Sequence, residues 1–182
     1  MVLLGCKPQG RLTEQHDIFF GIAEHLKDLL PAMKSFWPEA KGNFHLDAWR
    51  EVTQVGDYKV NVVPKKVSSE NFAPYIFFIN LGGYKPGEFE EFHYKMLVSG
   101  KDSAEAIQLG KQTAFYKHTG FKGATSHIDD KYGIDTDDIF KVEDILDSSY
   151  KEKYSLEVSL NADAPEDKMN LGYIPIKKLL SY

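Results

Sequence analysis

The chain has 182 residues, a formal net charge of −5, 42% hydrophobic and 27% charged residues. That is the balance of a soluble, cored protein rather than a disordered one, with room for one domain or two small ones. No apolar run approaches the ~20 residues of a membrane span, residues 1–5 lack the basic flank and long apolar region of a signal peptide, and the acidic balance argues against nonspecific nucleic-acid binding.

In chain order, residues 1–4 form a short apolar strand closed by Gly5. Polar residues with Pro8 and Gly10 follow, then a second strand over 16–22, rich in the aromatic and β-branched types that strands favour. Ile22, Leu26, Leu29, Leu30, Met33, Phe36 and Trp37 recur at helical spacing and make one apolar stripe. Pro31 interrupts it, so the helix either starts late with Pro31 in its first turn or is kinked there. A His45-x-Asp47 segment and a closing strand over 58–63 complete this stretch.

Pro64 opens a polar segment, 64–74, that reads as a linker. Strands over 75–81 and 93–98 come next, and then a helix whose start carries Asp102 and Glu105 in a capping-box arrangement. Its stripe is thin: Ala104, Ile107, Ala114 and Phe115. A second His-x-Asp triplet, His127 to Asp129, precedes a closing strand over 139–142. In the tail, 154–160 alternates as a half-buried strand, 161–167 is a loop, and 171–176 is a strand that Pro175 confines to an edge or an end.

The chain resembles itself. Residues 4–16 align without gaps on 81–93, sharing Leu-Gly, a later Gly and Glu-x-His. Lys41-Gly42 to Asp47 matches Lys122-Gly123 to Asp129 with one insertion, and Tyr58-Lys59-Val60 matches Phe140-Lys141-Val142. Four of the six histidines therefore fall at matched places. The expected fold is α+β: two tandem β-β-α-β-β repeats, 1–63 and 75–146, with pseudo-two-fold symmetry, and C-terminal strands in 147–182 packed on the second repeat. Repeats this small carry marginal cores alone, so they should pack intimately.

Leu-Gly-(Gly/Cys), Glu-x-His-(Asp), an amphipathic helix ending near Trp, and Lys-Gly-x-x-His-x-Asp together resemble the bacterial domain-of-unknown-function 1543 family. The resemblance implies an architecture of one or two copies of a short domain. It implies no activity. Copy one departs in having Cys6 where copy two has Gly83, and copy two has Tyr94 where copy one has Asp17.

The candidate site residues are Glu14, His16, His45 and Asp47, with Glu91, His93, His127 and Asp129 in the second copy. Strand side chains repeat every two residues, so each Glu-x-His and His-x-Asp pair shares a face. Imidazole and carboxylate are ligands for zinc or manganese and also the parts of a general acid–base pair. The same pairs equally suit structural staples that satisfy buried polar groups. Cys6 could act as a nucleophile only beside a base, and cysteine also serves as a small buried hydrophobe. The glycines lack the phosphate-loop fingerprints, and the acidic loop from Asp129 to Asp138 lacks the EF-hand pattern.

Two function classes follow for a cytoplasmic protein. One is a non-catalytic binding or interaction module, with a small molecule, a protein or a second copy as partner. The other is a small metal-dependent hydrolase using His16, His45 and Asp47, or their second-copy equivalents, with Glu14 or Glu91 as the base on metal-bound water. The metal, and any other cofactor, is left unnamed by the sequence.

Overall fold

The computed structural model describes residues 1–65, 74–84, 87–118 and 135–181. His127, Asp129 and most of the linker lie outside these residues. Strand β1 (Val2–Cys6) is paired on one side with β2 (Gln15–Phe19) and on the other with β3 (His45–Trp49), all antiparallel. Helix α1 (Leu30–Phe36) carries Pro31 in its first turn, where the missing N–H costs nothing, after a 3-10 turn over Leu26–Leu29. The helix starts late. It lays Leu29, Leu30 and Met33 on Val2, Leu4, Cys6, Phe19 and Leu46, and Met33, Leu4 and Leu46 are fully buried. Ile22 leaves the expected stripe and packs in a different cluster.

A second sheet has the order β7-β6-β8, built from β6 (Tyr75–Tyr84), β7 (Glu91–Gly100) and β8 (Asp135–Lys141). Its order parallels that of β2-β1-β3. Gly82 pairs with His93 as Gly5 pairs with His16. The register breaks between Asn80 and Leu81 as it does between Leu3 and Leu4. Helix α2 (Ser103–His118) begins with the expected cap: the Glu105 N–H donates to Asp102 Oδ1 at 2.9 Å, and Glu105 Oε2 accepts from the Lys101 N–H at 2.7 Å. The packed face differs from the expected one, because Ala104 is exposed while Ala106 and Gly110 are buried. A Cβ on Gly110 would stand 2.9 Å from Ile79 Cδ1, so the helix rides close on the sheet through small residues that leave no hydrophobic stripe. The side chains of Ala114 and Phe115 lie outside the described ones.

Two further expectations are corrected. Residues 139–142 are not a separate closing strand: Ile139, Phe140 and Lys141 belong to β8, which holds in its sheet the place of β3, and Val142 opens a short helix, α3 (Val142–Ile145). Tyr58 instead lies on β5 (Tyr58–Pro64), in a third sheet of order β4-β5-β9 with β4 (Gln54–Val55) and β9 (Tyr154–Leu160). By hydrogen bonding the C-terminal strands join the first segment, while Leu156 and Val158 of β9 pack against the cluster that holds Ile76 and Phe78 of the second. β9 pairs with β5, and β10 (Asn170–Pro175) pairs with β3. Pro175 ends β10, which is an edge strand, as its missing donor requires.

The fold is α+β, with three antiparallel sheets among the described residues. Residues 76–79 of β6 are an unbroken apolar run because both faces are covered: Phe77, Ile79 and Leu81 pack in the cluster that includes Ala106, while Ile76 and Phe78 meet Phe20, Ile18 and Leu97 between the sheets. Phe20 and Phe78 make an edge-to-face contact with centroids 5.6 Å apart. Among the described residues, no helix is long and apolar enough to cross a membrane.

Candidate metal centre

Gly5 is the floor of the site. In β1 it pairs with His16 of β2 on one side and with His45 of β3 on the other, so the two imidazoles flank a residue without a side chain. Asp47 is the extra residue of a bulge: Leu46 pairs with Leu4 and Ala48 with Leu3, leaving Asp47 without a partner on β1. A bulge re-aims a side chain at the point where it interrupts the ladder. Here the Asp47 carboxylate lies on the face carrying both histidines.

The four side chains converge. His45 Nε2 lies 3.1 Å from Glu14 Oε1 and 3.2 Å from Asp47 Oδ2, and His16 Nε2 lies 3.2 Å from that same Asp47 oxygen. The ligand atoms of Glu14, His16 and His45 all lie within 4.8 Å of one another. Asp47 Oδ2 is shut off from solvent and accepts no hydrogen bond, although two imidazole nitrogens face it. Side-chain exposure grades outward from His45 at 11% through Asp47 at 26% and His16 at 40% to Glu14 at 46%. One wall is therefore fixed and the other is open to solvent.

Tyr173 is a neighbour that the sequence reading missed. Its ring covers His45 with centroids 4.3 Å apart. The pairing of β10 with β3 skips from Leu171 to Ile174, and Gly172 in the gap has φ +129, a conformation that glycine alone adopts without strain. Tyr173 sits in that irregularity. Its only sequence signal is an aromatic residue after glycine in an edge strand, which says nothing about where the strand docks.

Among the described residues, the second sheet does not reproduce the cluster. His93 Nε2 is 3.8 Å from Glu91 Oε2, a looser pair than any in the first site. The residue opposite Gly82 on β8 is Asp135, where β3 places His45 opposite Gly5. Cys6 is buried beneath the first site, and burial, with smaller contributions from Glu14 and Glu39, pushes its thiol above the ordinary value. That protonated thiol is a core group rather than a nucleophile.

Among solved structures, the chain is similar to the crystal structure of a protein Il1583 from Idiomarina loihiensis, at 18% identity and a TM-score of 0.63, over 96% of this chain and 94% of that one. The likeness is one of fold. No curated protein matches the chain. Residues 11–62 match the family described as Domain of Unknown Function (DUF1543). That segment holds all four converging side chains, Glu14, His16, His45 and Asp47, and it is similar to the family its motifs resemble.

Proposed function

We propose that the protein is a divalent-metal-binding module, with zinc or a zinc-like ion held by Glu14, His16, His45 and Asp47. The observation that carries this reading is the solvent-free Asp47 oxygen, faced at 3.2 Å by two imidazole nitrogens yet without a hydrogen bond. Neutral imidazoles that turn Nε2 lone pairs toward a carboxylate oxygen repel it, and a cation between them reverses the sign. The spacing also fits. Tetrahedral zinc with bonds of about 2.0–2.1 Å sets neighbouring ligand atoms about 3.3 Å apart, against 3.1 Å for Glu14–His45 and 3.2 Å for His45–Asp47 and His16–Asp47.

Glu14, His16 and His45 form the compact ligand set and Asp47 faces both histidines. With Asp47 as fourth ligand the tetrahedral site would be closed, the pattern of structural and binding sites, whereas catalytic zinc keeps a position for water. Glu14 stands 3.1 Å from His45 Nε2, inside the ligand cluster rather than behind it, where a base acting on metal-bound water would stand. Binding is therefore favoured over hydrolysis. The matched order and register of the two larger sheets supports a build of two related units, with the metal site on the first.

Zinc titration calorimetry on metal-stripped protein tests the reading. One ion per chain is expected, with proton release and weaker affinity on acidification, because imidazole ligands must be neutral. His16→Ala and His45→Ala should each weaken binding about a hundredfold, while His93→Ala leaves it unchanged. No binding, or equal dependence on His93, would refute it. Ester or phosphodiester turnover by the zinc-loaded protein, lost in His45→Ala, would favour the hydrolase instead.

A further inference from the structure

A cleft of about 730 Å³ lies apart from the metal cluster, between β7 and the stretch running from β3 into β4. This volume is within the usual range for small-molecule sites. Apolar side chains line it on several elements, among them Leu3, Ile18, Ala48, Leu97 and Met169. Met169 is 56% exposed and Leu171, beside it on β10, is 77% exposed, so apolar surface continues to the mouth.

Of the three basic side chains in this lining, Lys101 is exposed and two are less so. Arg50 follows β3 and Lys95 stands on β7, each half-buried. Among the described residues neither side chain makes an ion pair or a hydrogen bond, and Arg50 Nε and the neighbouring Trp49 Nε1 are buried donors without acceptors. Of the carboxylates nearby, Glu166 and Asp57 also line the cleft, without an ion pair to either cation, and two others are committed elsewhere. Asp167 accepts from the Thr53 and Gln54 backbone N–H groups and from the Thr53 hydroxyl, and Glu105 caps α2. Burial lowers the pKa of both cations, only partly opposed by Asp17 for Lys95 and by Asp167 and Glu166 for Arg50. Half-buried cations and unpaired donors are costly unless something pairs them.

We propose that this cleft binds an amphipathic anion, a carboxylate or sulfonate carried on an apolar body, with Lys95 and Arg50 holding the head and the Leu3–Ile18–Leu97 wall taking the body. The inference does not depend on the metal reading.

Octanoate and 1-octanol, compared by calorimetry on the full chain in EDTA, separate the ionic from the apolar contribution. Octanoate should bind at least about tenfold more tightly than the alcohol, the scale of one charge-assisted contact. Lys95→Met and Arg50→Met should each remove about that factor. Neither variant should melt earlier than the wild type, because each deletes an unpaired, half-buried charge; a structural role would lower the melting temperature. Equal binding of acid and alcohol, no binding of octanoate, or unchanged affinity in both variants overturns the proposal. The wild-type comparison decides it even if a variant fails to fold.

Discussion

A β-carbon placed on Gly5 would stand 2.5 Å from Asp47 Oδ2 and equally close to His45 Nε2. No side chain fits there without moving both groups, and neither is the free end of a long, flexible chain. Gly5→Ala should therefore destabilise the fold by ~1–3 kcal/mol, the cost of overpacking, and weaken zinc binding by more than about tenfold, because the ligand geometry tolerates displacements of only about 0.5 Å. Urea denaturation and zinc titration of the same variant check both effects.

Asp167 ties the C-terminal loop to the first segment across more than a hundred residues of sequence, accepting from the Thr53 N–H at 2.9 Å and the Gln54 N–H at 3.0 Å. Beside it the buried Gln54 side chain donates to the Gly56 and Asn161 carbonyls. Asp167→Ala leaves two backbone donors unpaired and should cost ~1–3 kcal/mol, read as a lower urea midpoint at unchanged slope. Asp167→Asn, which keeps one acceptor oxygen, should recover part of the loss.

Cys6 is 2% exposed, and its thiol is held above the ordinary value chiefly by burial. Aromatic disulfide reagents at pH 8 should label it slowly in the native protein and rapidly in urea. Linkage has a definite sign here. The folded thiol keeps its proton to higher pH than the unfolded one, so the contribution is whole below the unfolded value and is lost as pH climbs through the folded one. Alkaline stability curves of wild type and Cys6→Ala should differ in that window. Fast native labelling would contradict the buried placement.

Much of this architecture was legible because it is local. Alternation located β9 to the residue, Pro31 narrowed α1 to a late start or a kink, and Asp102 with Glu105 marked the start of α2. The two-residue parity of Glu14 with His16 and of His45 with Asp47 placed each pair on a common face, and Leu-Gly marked the strand between them. What stayed hidden is non-local. The choice of β3 as partner for β10 depends on packing that no periodicity encodes, so Tyr173 was missed and the tail was assigned to the second sheet. The contact of α2 through Ala106 and Gly110 relies on small size, to which hydrophobic patterning is blind. The bulge at Asp47 changes register without any glycine or proline to announce it.

The most direct measurement is anomalous diffraction at the zinc edge from crystals of the full chain grown with zinc. One strong peak is predicted among Glu14 Oε1, His16 Nε2, His45 Nε2 and Asp47 Oδ2, about 2.0–2.2 Å from each. An empty cluster in crystals that carry zinc elsewhere, or a peak held by His93 instead, would contradict the account.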